Sequence, residues 1–164
     1  PERPILYEYY TLWEHIDLLI RTLGQDENEL KNRAKELCRV FRLNDKLYEY
    51  PIHFSKGMQQ KVMLILALTP KYDLYILDEP FMGLDPQAIR KLIQLINEYK
   101  SQGAAILMST HALDTAEKIC DSFICMHNGA LLKQGSLQEL QRYPGQALLE
   151  IFDELIEGEV HDVV

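Results

Sequence analysis

The feature that most constrains this chain is a short apolar run, Leu74-Tyr75-Ile76-Leu77, that ends on two adjacent acids, Asp78 and Glu79, and then on Pro80. So short a run, bounded by a breaker, reads as a buried strand. Gly83-Leu84-Asp85-Pro86 follows, with Asp85 as helix N-cap and Pro86 at the first helical position; Ile89, Leu92, Ile93, Ile96 and Tyr99 then keep helical spacing to Gly103. Ala104 to Met108 is a second apolar run. Strand, helix, strand predicts at least two parallel strands and an α/β core. Beyond it, Leu113 to Ile119 reads as a short helix and Phe123 to Met126 as a third strand, which Asn128-Gly129 turns into Ala130 to Lys133. Ser136 with Glu139 caps another helix, and Ala147 to Ile156 supplies a last one.

The first 70 residues read as helical. Thr11 with Glu14 forms a capping box, and Leu12, Ile16, Leu19, Ile20 and Leu23 recur at helical spacing until Gly24. A second helix opens near Asp26 and carries Leu30, Ala34, Leu37 and Phe41 on one face. After an aromatic connector from Leu47 to Phe54, Ser55 is the natural N-cap of a third helix reaching about Leu68, apolar on most sides and expected to be buried.

Composition removes several classes. With 17 basic and 25 acidic residues the net charge is −8, which repels a phosphodiester backbone and argues against nucleic acid as a partner. The longest strongly apolar stretch, Val62 to Leu68, falls far short of the roughly 20 residues that span a bilayer, so a soluble chain is expected. Cys38, Cys120 and Cys125 show no CxxC spacing and fall in apolar segments, which predicts buried free thiols in a reducing compartment. The five histidines lack metal-ligand spacing.

Four short segments carry possible chemistry. Asp78 and Glu79 at a strand end suit a Walker B element, in which Asp78 holds the hydrated Mg²⁺ of a nucleotide and Glu79 orients and deprotonates water. Ser55-Lys56-Gly57 at a helix start suits an anion, through the Ser55 hydroxyl, backbone N–H groups and the Lys56 charge. Gly83-Leu84-Asp85-Pro86 and the strand-end Ser109-Thr110-His111 complete the set. Taken singly, each is also what an ordinary capped helix, turn or surface loop looks like.

Their order resembles the ABC ATPase series of signature motif, Walker B, D-loop and switch histidine. The closest likeness is to Ecs-type ATPase subunits of bacterial exporters, through Leu6-Tyr7-Glu8-Tyr9, His53-Phe54-Ser55-Lys56-Gly57-Met58 and Cys120-Asp121-Ser122-Phe123. The resemblance implies a truncated P-loop NTPase fold with three parts: residues 1–70 hold the Q-loop region and helical subdomain, 71–135 part of the parallel-sheet core, and 136–164 C-terminal helices. It implies catalytic roles for Glu79 and His111, nucleotide contacts from Ser55, Lys56, Gly57 and Asp85, and Mg²⁺ held at Asp78 through water. ATP would be sandwiched head to tail between two such domains, with Ser55 and Gly57 facing the other domain's P-loop. A membrane-spanning permease would dock on roughly Tyr7 to Leu68, at the cytoplasmic face of the membrane.

Three departures from the family pattern stand out. Lys56 and Met58 replace the usual Gly and Gln of the signature, leaving Ser55 and Gly57 in place. Glu2 falls at the Q-loop position, where the family has Gln. None of the eight glycines begins a G-x-x-x-x-G-K-[ST] phosphate-binding loop. In the family that loop precedes the Q-loop, so the expectation is a fragment of a longer transport ATPase, inactive alone. Two other readings compete: a non-transport ABC ATPase acting on DNA or ribosomes, disfavoured by the acidic charge and the lack of a coiled-coil insertion, and a non-catalytic interaction fragment.

Overall fold

The structure, a computed structural model, describes residues 4–161. The chain divides into two compact units, residues 1–109 and 110–164.

In the first unit, Thr11 closes its capping box at the start of α1 (Leu12–Leu23), with the Glu14 carboxylate accepting from the Thr11 N–H at 2.7 Å, and Gly24 ends the helix at φ 66°. α2 (Glu27–Val40) is capped by Asp26, and two short 3₁₀ turns, Asn44–Lys46 and Pro51–His53, lead to α3 (Lys56–Leu68) with Ser55 as N-cap. The three helices bury Leu12, Ile16 and Ile20 with Leu30, Ala34, Leu37, Val62 and Ile65. Each large aliphatic side chain so buried contributes about 1.5–3 kcal/mol.

The helices join the strands through Arg33, Tyr75 and Tyr99. The Arg33 guanidinium lies 4.5 Å from the Tyr99 ring centre and its Nε donates to the Leu68 carbonyl at 3.0 Å. Tyr99 stacks on Tyr75 at 5.2 Å, and their hydroxyls donate to the Leu68 and Pro70 carbonyls at 3.2 and 2.9 Å. Burial pushes the Tyr99 phenol up to about 12.

β1 (Leu74–Asp78) and β2 (Ala105–Ser109) run parallel in the register Ile76 to Leu107 and Asp78 to Ser109, with α4 (Pro86–Ser101) crossing between them. The reading of β1 as a buried strand is corrected: Tyr75 and Leu77 are 5% exposed, but Leu74 and Ile76 are 51% and 71% exposed. Alternation at period two sends residues 74 and 76 to a face that no described element covers, and Leu107 is exposed with them.

The second unit holds α5 (Leu113–Ile119), the antiparallel hairpin of β3 (Phe123–His127) and β4 (Ala130–Gly135), α6 (Leu137–Leu140) and α7 (Leu148–His161). Ala116, Phe123, Cys125, Leu140, Leu148 and Ile151 form its core. Asn128 and Gly129 take positive φ at the hairpin tip, as Asn-Gly turns require. The Ser136–Glu139 capping box is present, and α7 runs past the expected end at Ile156. Cys38 and Cys125 are buried thiols, that of Cys38 pushed up to about 11 by burial, whereas Cys120 is half-buried rather than buried as expected.

Candidate functional site

Parallel strands all finish on one side of a sheet, so polar residues placed just past their ends collect along one edge. Asp78 and Ser109 are the last residues of β1 and β2 and stand opposite each other in register, and the Ser109 hydroxyl donates to the Asp78 carboxylate. The Glu79 N–H donates to the Ser109 carbonyl at 3.1 Å and meets the Ser109 hydroxyl oxygen at 3.3 Å. Glu79 itself has φ 44°, a left-handed conformation that costs a non-glycine residue about 1–2 kcal/mol. That step ends the strand alternation between the two acids, and the Met82 N–H closes the turn on the Glu79 carbonyl at 3.1 Å. Held strain of this kind gathers where a side chain has a task.

The start of α3 meets the turn after Pro80 at very short range. A Cβ on Gly57 would lie 2.6 Å from the Gly83 carbonyl oxygen, so only glycine fits there, and Gly83 has φ 71°. Ser55 is exposed and its Oγ accepts from the Met58 N–H at 3.3 Å, which leaves its hydroxyl proton available as a donor. Lys56 is exposed beside it, at the positive end of the helix.

Asp85 uses both of its oxygens. Oδ1 accepts from the Gln87 and Ala88 N–H groups at 3.0 and 2.9 Å, and Oδ2 takes the Lys61 ammonium at 2.6 Å. Lys61 first, and then the Ala88 amide, hold the Asp85 carboxyl down to about 2. A carboxyl lowered on folding adds stability above the ordinary carboxylate range and loses it as pH falls toward 2, so this pair is intact at neutral pH. Lys61 escaped the sequence reading because a lysine 24 residues from its partner leaves no local pattern.

Ser55, Gly57, Asp78, Glu79 and Asp85 therefore all belong to the first unit, where the Gly57–Gly83 approach and the Lys61–Asp85 pair tie the α3 start to the turn before α4. His111 is exposed in the second unit, where its carbonyl accepts from the Leu113 N–H at 3.0 Å. Glu2 lies outside the described residues. Among the described residues no three His, Cys, Asp or Glu side chains converge to hold a metal. Mg²⁺ takes one or two protein carboxylates and completes its shell with phosphate and water oxygens, a role that an exposed strand-end carboxylate such as Asp78 fits.

The fold is part of a P-loop NTPase core. Residues 3–113 match the family model described as "AAA domain, putative AbiEii toxin, Type IV TA system". The chain belongs to the family of ABC transporter ATP-binding proteins. It is 46% identical over 162 residues to the uncharacterized ABC transporter ATP-binding protein YthP of Bacillus subtilis (strain 168), covering 97% of this chain and 69% of that protein. To the ABC-type transporter ATP-binding protein EcsA of the same organism it is 47% identical, covering 94% and 64%. A solved structure titled "Structure of ATP binding subunit of ABC transporter" superposes with a TM-score of 0.91 at 48% identity, covering 95% of this chain and 66% of that one. The chain thus spans about two thirds of the length of these relatives.

Proposed function

We propose that this chain carries the nucleotide-sensing and hydrolytic groups of an ABC transporter's ATPase subunit. The observation that carries the reading is the strand end: two adjacent acids at the carboxyl edge of a parallel pair, the first braced by Ser109 and the second held at positive φ. Asp78 would hold Mg²⁺ through water, and the bound ion would offset charge on the phosphates. Glu79 accepts the proton of the attacking water, and His111 donates toward the terminal phosphate. Ser55, Lys56 and Gly57 present donors and positive charge to the nucleotide of a second, head-to-tail copy, with Asp85 in the turn beside them. Glu2 takes the Q-loop position.

The functional division keeps residues 1–70 as Q-loop region and helical subdomain, 71–135 as core and 136–164 as C-terminal helices. The permease would dock on the helical part from the cytoplasmic side. Supporting this, Tyr7 and Tyr9 on one segment and Tyr48 and Tyr50 on another are exposed, and the Leu12 and Trp13 N–H groups bond the Glu49 and Leu47 carbonyls at 3.0 and 2.8 Å, which sets those segments side by side. Exposed aromatics so grouped mark protein-binding surfaces. Among the described residues no helix is long and apolar enough to cross a membrane.

The 164 residues contain no phosphate-binding loop, so they supply late-acting groups and not the clamp that first holds the phosphates. The test is Glu79→Gln in the protein as the cell makes it. Steady-state phosphate release should fall roughly 100- to 10,000-fold, the usual worth of a general base, with Mg·ATP affinity kept. Release near the wild-type rate would remove Glu79 from this role.

A further inference from the structure

We propose that Lys61 is a positioning residue that fastens the turn at 83–86 to the first two turns of α3, so that Ser55–Gly57 and Asp85 move as one piece. This rests on the nucleotide-handling role proposed above for those residues. Gly57 and Lys61 lie four residues apart and so share one face of α3. That face meets the turn twice: at the Gly83 carbonyl, where a Cβ on Gly57 would come within 2.6 Å, and at Asp85, where the Lys61 ammonium sits 2.6 Å from Oδ2. The Lys61 side chain is only 15% exposed although its partner is 50% exposed, so the cation is held against the protein and not waving in solvent. Among the described residues, Lys61 is the charged group that holds the Asp85 carboxyl down.

The Asp85 carboxylate divides its work. Oδ1 caps α4 through the Gln87 and Ala88 amides, and Oδ2 alone reaches α3. Removing the Lys61 charge therefore leaves the cap of α4 in place and cuts the link to α3. A half-exposed ion pair contributes little to stability, so its loss should be felt in geometry before it is felt in melting. Nucleotide chemistry is sensitive to that, since a displacement of about 1 Å at a distance from the reacting atoms can cost 100-fold in rate.

Lys61→Gln and Lys61→Arg, compared with wild type in the protein as the cell makes it, test the inference. In Lys61→Gln, kcat for Mg·ATP should fall roughly 10- to 100-fold with KM and melting temperature little changed, and Lys61→Arg should restore most of it. Amide exchange at Met82 and Leu84, whose N–H groups bond the Glu79 and Phe81 carbonyls on the way into and within that turn, should speed up, while the Gln87 and Ala88 amides capped by Asp85 keep their protection. Wild-type turnover in Lys61→Gln, a loss that only follows a fall in melting temperature, or failure of that variant to fold would each overturn the inference. If the wild-type protein turns over no nucleotide, the proposed function falls instead. Exchange at Met82 and Leu84 then decides alone, and unchanged exchange in Lys61→Gln overturns the fastening.

Discussion

At Gly57 a side chain would have to occupy the space that the Gly83 carbonyl fills, since a Cβ would lie 2.6 Å from that oxygen. Helix propensity and packing thus pull in opposite directions at one residue. Alanine is favoured over glycine by about 1 kcal/mol inside a helix. Overpacking costs about 1–3 kcal/mol, and the obstructing atom here is a backbone carbonyl rather than the far end of a flexible side chain. We expect Gly57→Ala to destabilise the chain in urea melts, and a stabilised variant would show that the two segments do not meet this closely. Glu79 offers a different kind of control. Its strain lies in the backbone, at φ 44°, and glutamine at that position changes the charge without changing that demand. A rate effect in Glu79→Gln therefore reports chemistry and not a rebuilt turn.

β1 shows how much an element's sequence reveals and where it stops. Its existence and its ending on Asp78 follow from the apolar run and the breaker after it, and its parallel pairing from the strand–helix–strand order. Which face is covered depends on what packs there, and four apolar residues in a row carry no alternation to tell; Ile76 proves 71% exposed and Leu77 5%. Leu77→Ala should cost the 164-residue chain about 2–5 kcal/mol in urea unfolding, the usual range for a buried leucine. Ile76→Thr should change it by less than about 0.5 kcal/mol, as exposed substitutions do. Equal costs would mean that both faces are buried. Four caps and turns were legible, because Thr11 with Glu14, Ser136 with Glu139, Asp85 before Pro86 and Asn128-Gly129 signal to neighbours three residues away or fewer, whereas the 3₁₀ turns at Asn44–Lys46 and Pro51–His53 carried no such signal. The Lys61–Asp85 pair, the Gly57–Gly83 approach and the positive φ of Glu79 were not legible, since each depends on chain brought in from farther along the sequence.

Over the whole molecule, the groups present and the one motif absent imply a division of labour. Asp78, Glu79, His111 and Ser55 would act on phosphates already held in place, and holding reactants in line can be worth about 7–11 kcal/mol of a barrier. With no G-x-x-x-x-G-K-[ST] among its 164 residues, this chain alone should bind Mg·ATP weakly and hydrolyse none. If Ser55 and Gly57 serve the nucleotide of a second copy, ATP is part of the glue between two subunits, and a subunit that binds but cannot hydrolyse should stay closed on its partner. Sedimentation velocity of the Glu79→Gln protein, as the cell makes it, without nucleotide, with Mg·ADP and with Mg·ATP, tests this most directly, with the 164-residue chain run beside it. We expect a dimer that appears with Mg·ATP alone, and no response from the 164-residue chain. A Glu79→Gln protein that binds Mg·ATP yet sediments as a monomer, or a 164-residue chain that itself binds Mg·ATP at micromolar concentration, would contradict it.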